Sequence, residues 1–518
     1  SLFCSSLTYF KPLFQWPHRK ALIFKEKKRK RRRRRRTYMD LEKQIFGNVM
    51  EERTIKKAAK SKKKFQKAFG QEEGKTYYLK AEDNEVLGKI MNVKNLSLSP
   101  TPMVFPEKAF IVGNIRMGYG HYRIAMAIAS CANALGFTPY WFDLSSFHGT
   151  TGGEMIKKQN ALYSFGSRLS QRSRLFNHFY WEPLNSEGFR KLSYNAVDQK
   201  NAELLVPLYQ NFPKGIPFAG THTWAAQGAI HSGLSQVANV IPDNWPMGLH
   251  LSEGAIHTVQ TPFAYLGYKM LHGMEKGKIQ GMPEGSLVNT GHYVDHELVH
   301  HLPEDTKERM KRLDEKKPLR LLIPVGGAGA GKRHIIELLR YVWPRMRKHE
   351  VQVFLNFGDH LDLLKEFQKA LPEIFKDAKL HLNVYEEVEI LAAQKEGFTE
   401  PLHAFYHEDI FQAVYSTNLL MRGADVLMTK PSELSFYPIP KLFLQRVGGH
   451  EAYGAIYASQ RGDGTMECKT KDELIRVLDA LLDQKEILRK MNQEILRLHG
   501  QKVYSGGYEV VKLLTKGL

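Results

Sequence analysis

Cysteine is nearly absent from this chain of 518 residues: Cys4, Cys131 and Cys468 stand far apart and are odd in number. That excludes a disulfide scaffold and a cysteine-built zinc cluster, and it points to a reducing compartment. No stretch of 18 apolar residues occurs, so a spanning helix is not expected. Acidic residues are scarce at one end only. Residues 1–80 hold 25 basic and seven acidic side chains, and residues 81–518 hold 50 and 47. The formal net charge of +21 therefore belongs to the amino-terminal stretch, where Arg31 to Arg36 repel one another too strongly to pack. Nucleic acid is not the expected partner of the near-neutral remainder. A secretory signal is not expected either, because the basic block follows the apolar stretch and Lys11, Pro12 and Pro17 interrupt it. The chain begins with Ser1, and Met39 is a candidate start of translation.

The apolar share, 42%, is enough for two or three cores. A Lys-rich stretch with an amphipathic helix over 55–69 gives way at 96–102 to short apolar runs alternating with helical periodicity. Strands are expected at 109–115, 139–144, 215–220, 236–241, 255–259 and 286–290, with helices opening at 120, 223 and 263. A charged connector spans 303–318. The pattern then restarts with strands at 319–325, 351–356, 379–384, 426–429 and 441–444. The expected fold class is α/β, two Rossmann-like domains in series. The expected divisions are a basic, largely disordered extension over 1–104, an acceptor domain over 105–302, a linker over 303–318, a nucleotide-sugar domain over 319–490, and a helical segment over 491–518. Residues 145–200 are too many for a simple strand-to-helix connection, which suggests function.

Three turns can carry chemistry. Gly118, Tyr119, Gly120 and His121 follow the first strand, where glycines let backbone approach a ligand and His121 opens a helix. Gly326, Gly327, Ala328, Gly329, Ala330, Gly331 and Lys332 copy the spacing of a P-loop, but Arg333 occupies the place of the magnesium-holding hydroxyl, so ATPase chemistry is not expected. Lys430, Pro431, Ser432 and Glu433 follow an apolar strand and suit a diphosphate-bearing ligand. His450 and Glu451 come from the next strand end. Asp243, Trp245 and His250 lie in a proline-broken segment. His222, His250 and His257 do not share ligating helical spacing, so no metal site is expected.

This order of motifs resembles the GT-B glycosyltransferases over about residues 108–500. Within them it resembles the monogalactosyldiacylglycerol synthase and processive diacylglycerol glucosyltransferase group, relatives of the bacterial lipid-linked N-acetylglucosaminyltransferase. The resemblance implies inverting, metal-independent transfer of a hexosyl group from a UDP-sugar to a lipid or lipid-linked hydroxyl, without a cofactor. His121 and Asp243 then take catalytic places. Gly326, Gly327, Gly329, Lys430, Ser432, Glu433, His450 and Glu451 take the donor, and Gly118, Gly120, Trp245 and His250 the acceptor. His450 departs from the group's pattern, which has Gln before Glu, and the donor turn is shortened to Pro431 and Ser432.

The basic and aromatic residues Lys157, Lys158, Arg168, Arg172, Arg174, Phe176, Phe179, Tyr180 and Trp181 suit an anionic membrane surface. The expected location is cytoplasmic, peripheral on the inner membrane face. Two alternatives carry the same fold: a UDP-sugar epimerase, and a non-catalytic nucleotide-sugar or lipid-binding protein.

Overall fold

Apolar strands buried on both faces require helices on both sides, and two parallel sheets result. The computed structural model describes residues 41–518 apart from 173–182, 185–187, 278, 327–330, 395–397, 447 and 517–518. The first sheet contains β1 (Tyr78–Asp83), β2 (Lys94–Ser99), β3 (Ala109–Asn114), β4 (Thr138–Asp143), β5 (Phe218–Gly220), β6 (Val237–Val240), β7 (Ile256–Val259) and β8 (Leu287–Asn289). Its spatial order is β8-β7-β6-β5-β3-β4-β2-β1. Only the β1–β2 pair is antiparallel among these. The second sheet is parallel, with β9 (Leu319–Pro324), β10 (Val351–Asn356), β11 (Ala378–Leu382), β12 (Leu402–Tyr406), β13 (Val426–Thr429), β14 (Lys441–Phe443) and β15 (Gly464–Glu467) in the order β11-β12-β10-β9-β13-β14-β15. These are two Rossmann-like α/β domains in series.

The helices that matter for the site are α1 (Glu52–Phe69), α2 (Gly120–Ala134), α3 (Thr151–Arg172), α4 (Leu192–Ala202), α5 (Thr223–His231), α6 (Pro262–Lys269), α7 (Leu302–Asp314), α8 (Lys332–Arg347), α9 (Ile410–Gly423), α10 (Ala452–Arg461), α11 (Lys485–Gly500) and α12 (Gly506–Thr515). All six residues of β3 are buried. Phe110 and Val112 pack with α2, while Ala109 and Ile111 pack with Ala225, Ala226 and Ala229 of α5. That alternation is the period of two that sends successive side chains to opposite faces. In the second domain Leu321 and Ile323 join α8, and Leu322 faces Val414 of α9.

Three domain boundaries differ from expectation. Residues 41–104 do not form a separate extension: β1 and β2 lengthen the first sheet, and α1 is held by Lys62 to Glu203 at 2.7 Å. The Leu79 amide donates to Asn211 Oδ1 at 2.9 Å, which ties the edge strand to the same domain. The 303–318 connector is mostly α7, pinned to the second domain where Arg312 meets Asp425 at 2.6 Å. Finally, α12 returns to the first domain. The His292 amide donates to the Val503 carbonyl at 2.7 Å, and a Cβ on Gly507 would lie 2.7 Å from Cys131 Sγ of α2. Glycine there permits an approach that any side chain would prevent.

Strand order determines where ligands can reach. β3 lies between β4 and β5, and β9 lies between β10 and β13. At both places successive connections leave to opposite sides, which opens a crevice beyond the strand ends. The two crevices carry the His121 turn and the Lys430 turn.

Candidate functional site

His121 stands in the first turn of α2, and its Nδ1 lies 2.7 Å from the Thr221 carbonyl at the end of β5. A carbonyl only accepts, so Nδ1 carries the proton and Nε2 keeps its lone pair. Burial lowers the His121 pKa, while the Thr221 carbonyl and Asp243 act in the opposite direction. The result is a neutral imidazole at neutral pH with one basic nitrogen. His222 caps α5 by accepting the Trp224 amide on Nδ1 at 3.1 Å, and its ring centre is 4.8 Å from that of His121.

Asp243 follows β6, and His250 Nε2 lies 3.2 Å from its Oδ2. The other nitrogen of His250 is 2.7 Å from the Tyr268 hydroxyl of α6. Burial works to raise the Asp243 pKa, but the His250 hydrogen bond and the nearby imidazoles of His250, His450 and His121 outweigh it, and the group lies well below the usual carboxylate range. Asp243 is therefore an anion beside a neutral base.

The facing wall comes from the second domain. Lys430 ends β13 and pairs with Glu451. Burial opposes its charge, yet Glu451 and Glu433 raise its pKa above the usual lysine value. Glu451 also accepts the Gly448 amide at 3.3 Å. The Ser432 amide closes the turn onto the Lys430 carbonyl at 2.8 Å. The first turn of α10 sits directly on this turn, since a Cβ on Gly454 would lie 2.8 Å from the Pro431 carbonyl. A lysine and the amino-terminal end of α10 thus meet at one spot.

The two walls touch. Glu433 reaches across to α2: its carboxylate lies 3.7 Å from Arg123 Nε, and a Cβ on Gly120 would lie 3.4 Å from it. A second-domain carboxylate thus packs against Gly120, a contact its place in the turn alone does not reveal. Trp245 is covered by Arg190 on one side, at 4.5 Å, and stacks on Tyr453 of α10 with centres 4.5 Å apart. Arg116 meets Asp359 at 2.7 Å, and the Tyr119 hydroxyl accepts the Asp359 amide at 3.1 Å and lies 3.0 Å from His360 Nε2.

His121, Asp243, His250, Lys430, Glu433, His450 and Glu451 therefore share one electrostatic neighbourhood. Gly118 bends the turn with φ of +73°. Gly326 follows β9, and Gly327 and Gly329 lie outside the described residues. Arg174, Phe176, Phe179, Tyr180 and Trp181 also lie outside them, as do the side chains of Arg168 and Arg172. Among the described residues no group of three or more His, Cys, Asp or Glu is placed to hold a metal ion. His257 is occupied by the Ser252 amide at 2.9 Å.

Sequence reasoning missed Arg123, Thr221 and Tyr163. Tyr163, on α3, has its pKa raised by burial and by Asp243 and Glu451, with Lys430 opposing. The one signal for it was the unusual length of the 145–200 segment.

Residues 44–270 match a family described as a domain of unknown function (DUF6937), and residues 282–515 match another domain of unknown function (DUF6938). No curated protein matches the sequence. Similar solved structures include UDP-GlcNAc 2-epimerase from Neisseria meningitidis bound to UDP-GlcNAc, at 13% identity and TM-score 0.41, covering 79% of this chain and 100% of that one. Another is the α,α-trehalose 6-phosphate synthase of Burkholderia multivorans, at 11% identity and TM-score 0.41, covering 79% and 98%. A third is HepE of Anabaena in complex with UDP and glucose, at 11% identity and TM-score 0.38, covering 79% and 99%.

Proposed function

We propose that the protein is an inverting glycosyltransferase that moves a hexosyl group from a UDP-sugar to a hydroxyl of a lipid or lipid-linked acceptor. The observation that carries this reading is the juxtaposition of a base and a cation across one cleft. His121 offers a free Nε2 from the first domain, and Lys430 with the start of α10 offers positive charge from the second.

In the proposed reaction the acceptor hydroxyl gives its proton to His121 Nε2 as its oxygen bonds to the anomeric carbon. The bond from that carbon to the diphosphate breaks, and UDP leaves with the electron pair. Lys430 and the α10 amino-terminal amides offset the charge on the departing diphosphate. The anion of Asp243 stabilises the imidazolium that His121 becomes. Glu433 takes the ribose hydroxyls once it leaves Arg123. Ser432, Glu451, His450 and the glycines at 326, 327 and 329 complete the donor side.

A lipid acceptor is supported by apolar side chains left in solvent near the first-domain wall. Leu162 and Phe165 of α3 are 62% and 61% exposed, and Leu266 of α6 and the neighbouring Met270 are 56% and 55% exposed. Lys157, Lys158 and Lys269 on the same helices would favour an anionic surface. No described helix is long and apolar enough to cross a membrane, so contact of this kind would be peripheral.

A thermal-shift panel of UDP-, GDP- and dTDP-sugars tests the donor, since a ligand that binds only the native state raises its melting temperature. UDP-sugars should shift it and the other two should not. UDP release should then require dioleoylglycerol or a polyprenyl phosphate. Release or isomerisation without acceptor would favour the epimerase reading, and binding without turnover the non-catalytic one. His121→Asn should lower turnover by about 10²–10⁴-fold with the melting temperature kept.

A further inference from the structure

We infer that Tyr453 is a removable plug, standing on a platform of Trp245 and Phe263 that receives the hydrocarbon chain of the acceptor. The inference rests on the transfer reading and adds a gate to its acceptor side.

Trp245 and Phe263 belong to the first domain, one in the loop that also carries Asp243 and the other on α6. Tyr453, in the first turn of α10, comes from the second domain. Its ring centre is 4.5 Å from that of Trp245 and 4.9 Å from that of Phe263, with the planes 21° and 15° apart. The centres of Trp245 and Phe263 themselves lie 6.3 Å apart. One ring therefore covers two others and is nearly parallel to both. Arg190 also lies over the indole, at 4.5 Å, so a ligand stacking there takes the place that Tyr453 holds. The start of α10 is fixed through its backbone, by Asn244 Nδ2 donating to the Tyr453 carbonyl at 3.2 Å and by Gly454 packing on the Pro431 carbonyl. The Tyr453 ring can thus swing away on its own side-chain torsions while the helix stays in place.

The platform opens to solvent. Phe263 is 40% exposed, and Leu266 and Met270, three and seven residues further on, are both more than half exposed. That spacing puts the three side chains on one helical face. An apolar track therefore leads from solvent to Trp245, two residues from Asp243. Trp245 also carries an unmet donor, because its Nε1 is buried and has no hydrogen-bond partner among the described residues. A buried indole N–H normally finds an acceptor. A chain with an oxygen acceptor at its head, such as an acyl ester or a prenyl phosphate, supplies hydrocarbon for the track and an oxygen for Nε1. The tyrosine ring supplies only apolar surface. Stacked aromatic pairs are individually weak, so a chain that makes both contacts can displace it.

The test is titration calorimetry without UDP, using dihexanoylglycerol and geranyl phosphate as probes, each below aggregation. Tyr453→Ala should bind at least one probe about tenfold more tightly than the wild type, the effect expected when two stacking contacts no longer compete. The probe that gains identifies the head group. Tyr453→Ser should reproduce the gain, which guards against a folding fault peculiar to one variant, and Tyr453→Phe keeps the ring and should match the wild type. Tyr453→Ala combined with Trp245→Ala should lose the gain. No gain for either probe when the ring is removed, or a gain that survives loss of Trp245, overturns the plug. If UDP leaves the melting temperature of the wild type unchanged, the donor reading falls instead, and the calorimetry still decides the plug.

Discussion

The carbonyl of Thr221 decides which nitrogen of His121 is free, and the surroundings decide at which pH it is free. Burial keeps the His121 pKa below its ordinary value. The acid limb of kcat/KM should therefore fall below pH 6.5, because the protonated ring cannot accept the hydroxyl proton. Asp243 opposes that lowering, so Asp243→Asn should move the limb to still lower pH as well as reduce the rate. Asp198 allows a stability test of its own. Burial holds its pKa up at about 7, whereas in the unfolded chain it ionises near pH 4. Between those values the native state binds the extra proton, so the contribution to stability is complete below pH 4 and lost as pH rises through 7. Asp198→Asn removes that loss. Its melting temperature relative to wild type should be higher at pH 8 than at pH 5, by the equivalent of about 2–3 kcal/mol. Residues such as His121, Lys430 and Glu451 were legible because they sit in local turns after apolar strands. Arg123 and Tyr163 were not, since only tertiary packing brings them to the cleft.

At the scale of elements, the same physics explains what was read and what was missed. Residues 351–356 and 426–429 are fully buried, mostly apolar strands, and both were expected with their observed bounds. β1 buries only Leu79 of its six residues, so no apolar run marks it. α4 was missed because its buried face is polar, with Asn195, Asp198 and Gln199 where leucines would announce a helix. The extension over 1–104 was set by charge, yet charge on α1 lies outside while Ala58 and Phe65 anchor it. The docking of α12 offers a direct test. Gly507→Val would drive its side chain into Cys131 Sγ and the Val294 carbonyl. It should destabilise the protein by about 1–3 kcal/mol in urea titration, while Gly500→Val, which meets nothing within 4 Å, should change little.

Across the whole molecule one apolar cluster runs from α2 through Tyr293 to Leu322 and Val414, joining the two domains. Around it polar contacts also join the domains, among them Arg116 and Tyr119 to Asp359, Arg123 to Asn418 and Glu433, Asn418 to Asp295 at 3.1 Å, Arg422 to Glu297 at 2.8 Å, and Asn244 to the Tyr453 carbonyl at 3.2 Å. Breaking one of them should loosen the cleft without unfolding either sheet. Asp359→Asn, measured by small-angle scattering, should increase the radius of gyration, and UDP should reverse part of the increase. An unchanged radius would show that the remaining contacts hold the spacing of the domains without Asp359.

The return of α12 has a consequence for synthesis. A ribosome makes α2 early and the ten residues that cover it only after the entire second domain. Until then the groove beside Cys131 and Val294 stays open on the nascent chain, so the amino-terminal domain cannot mature as an independent unit.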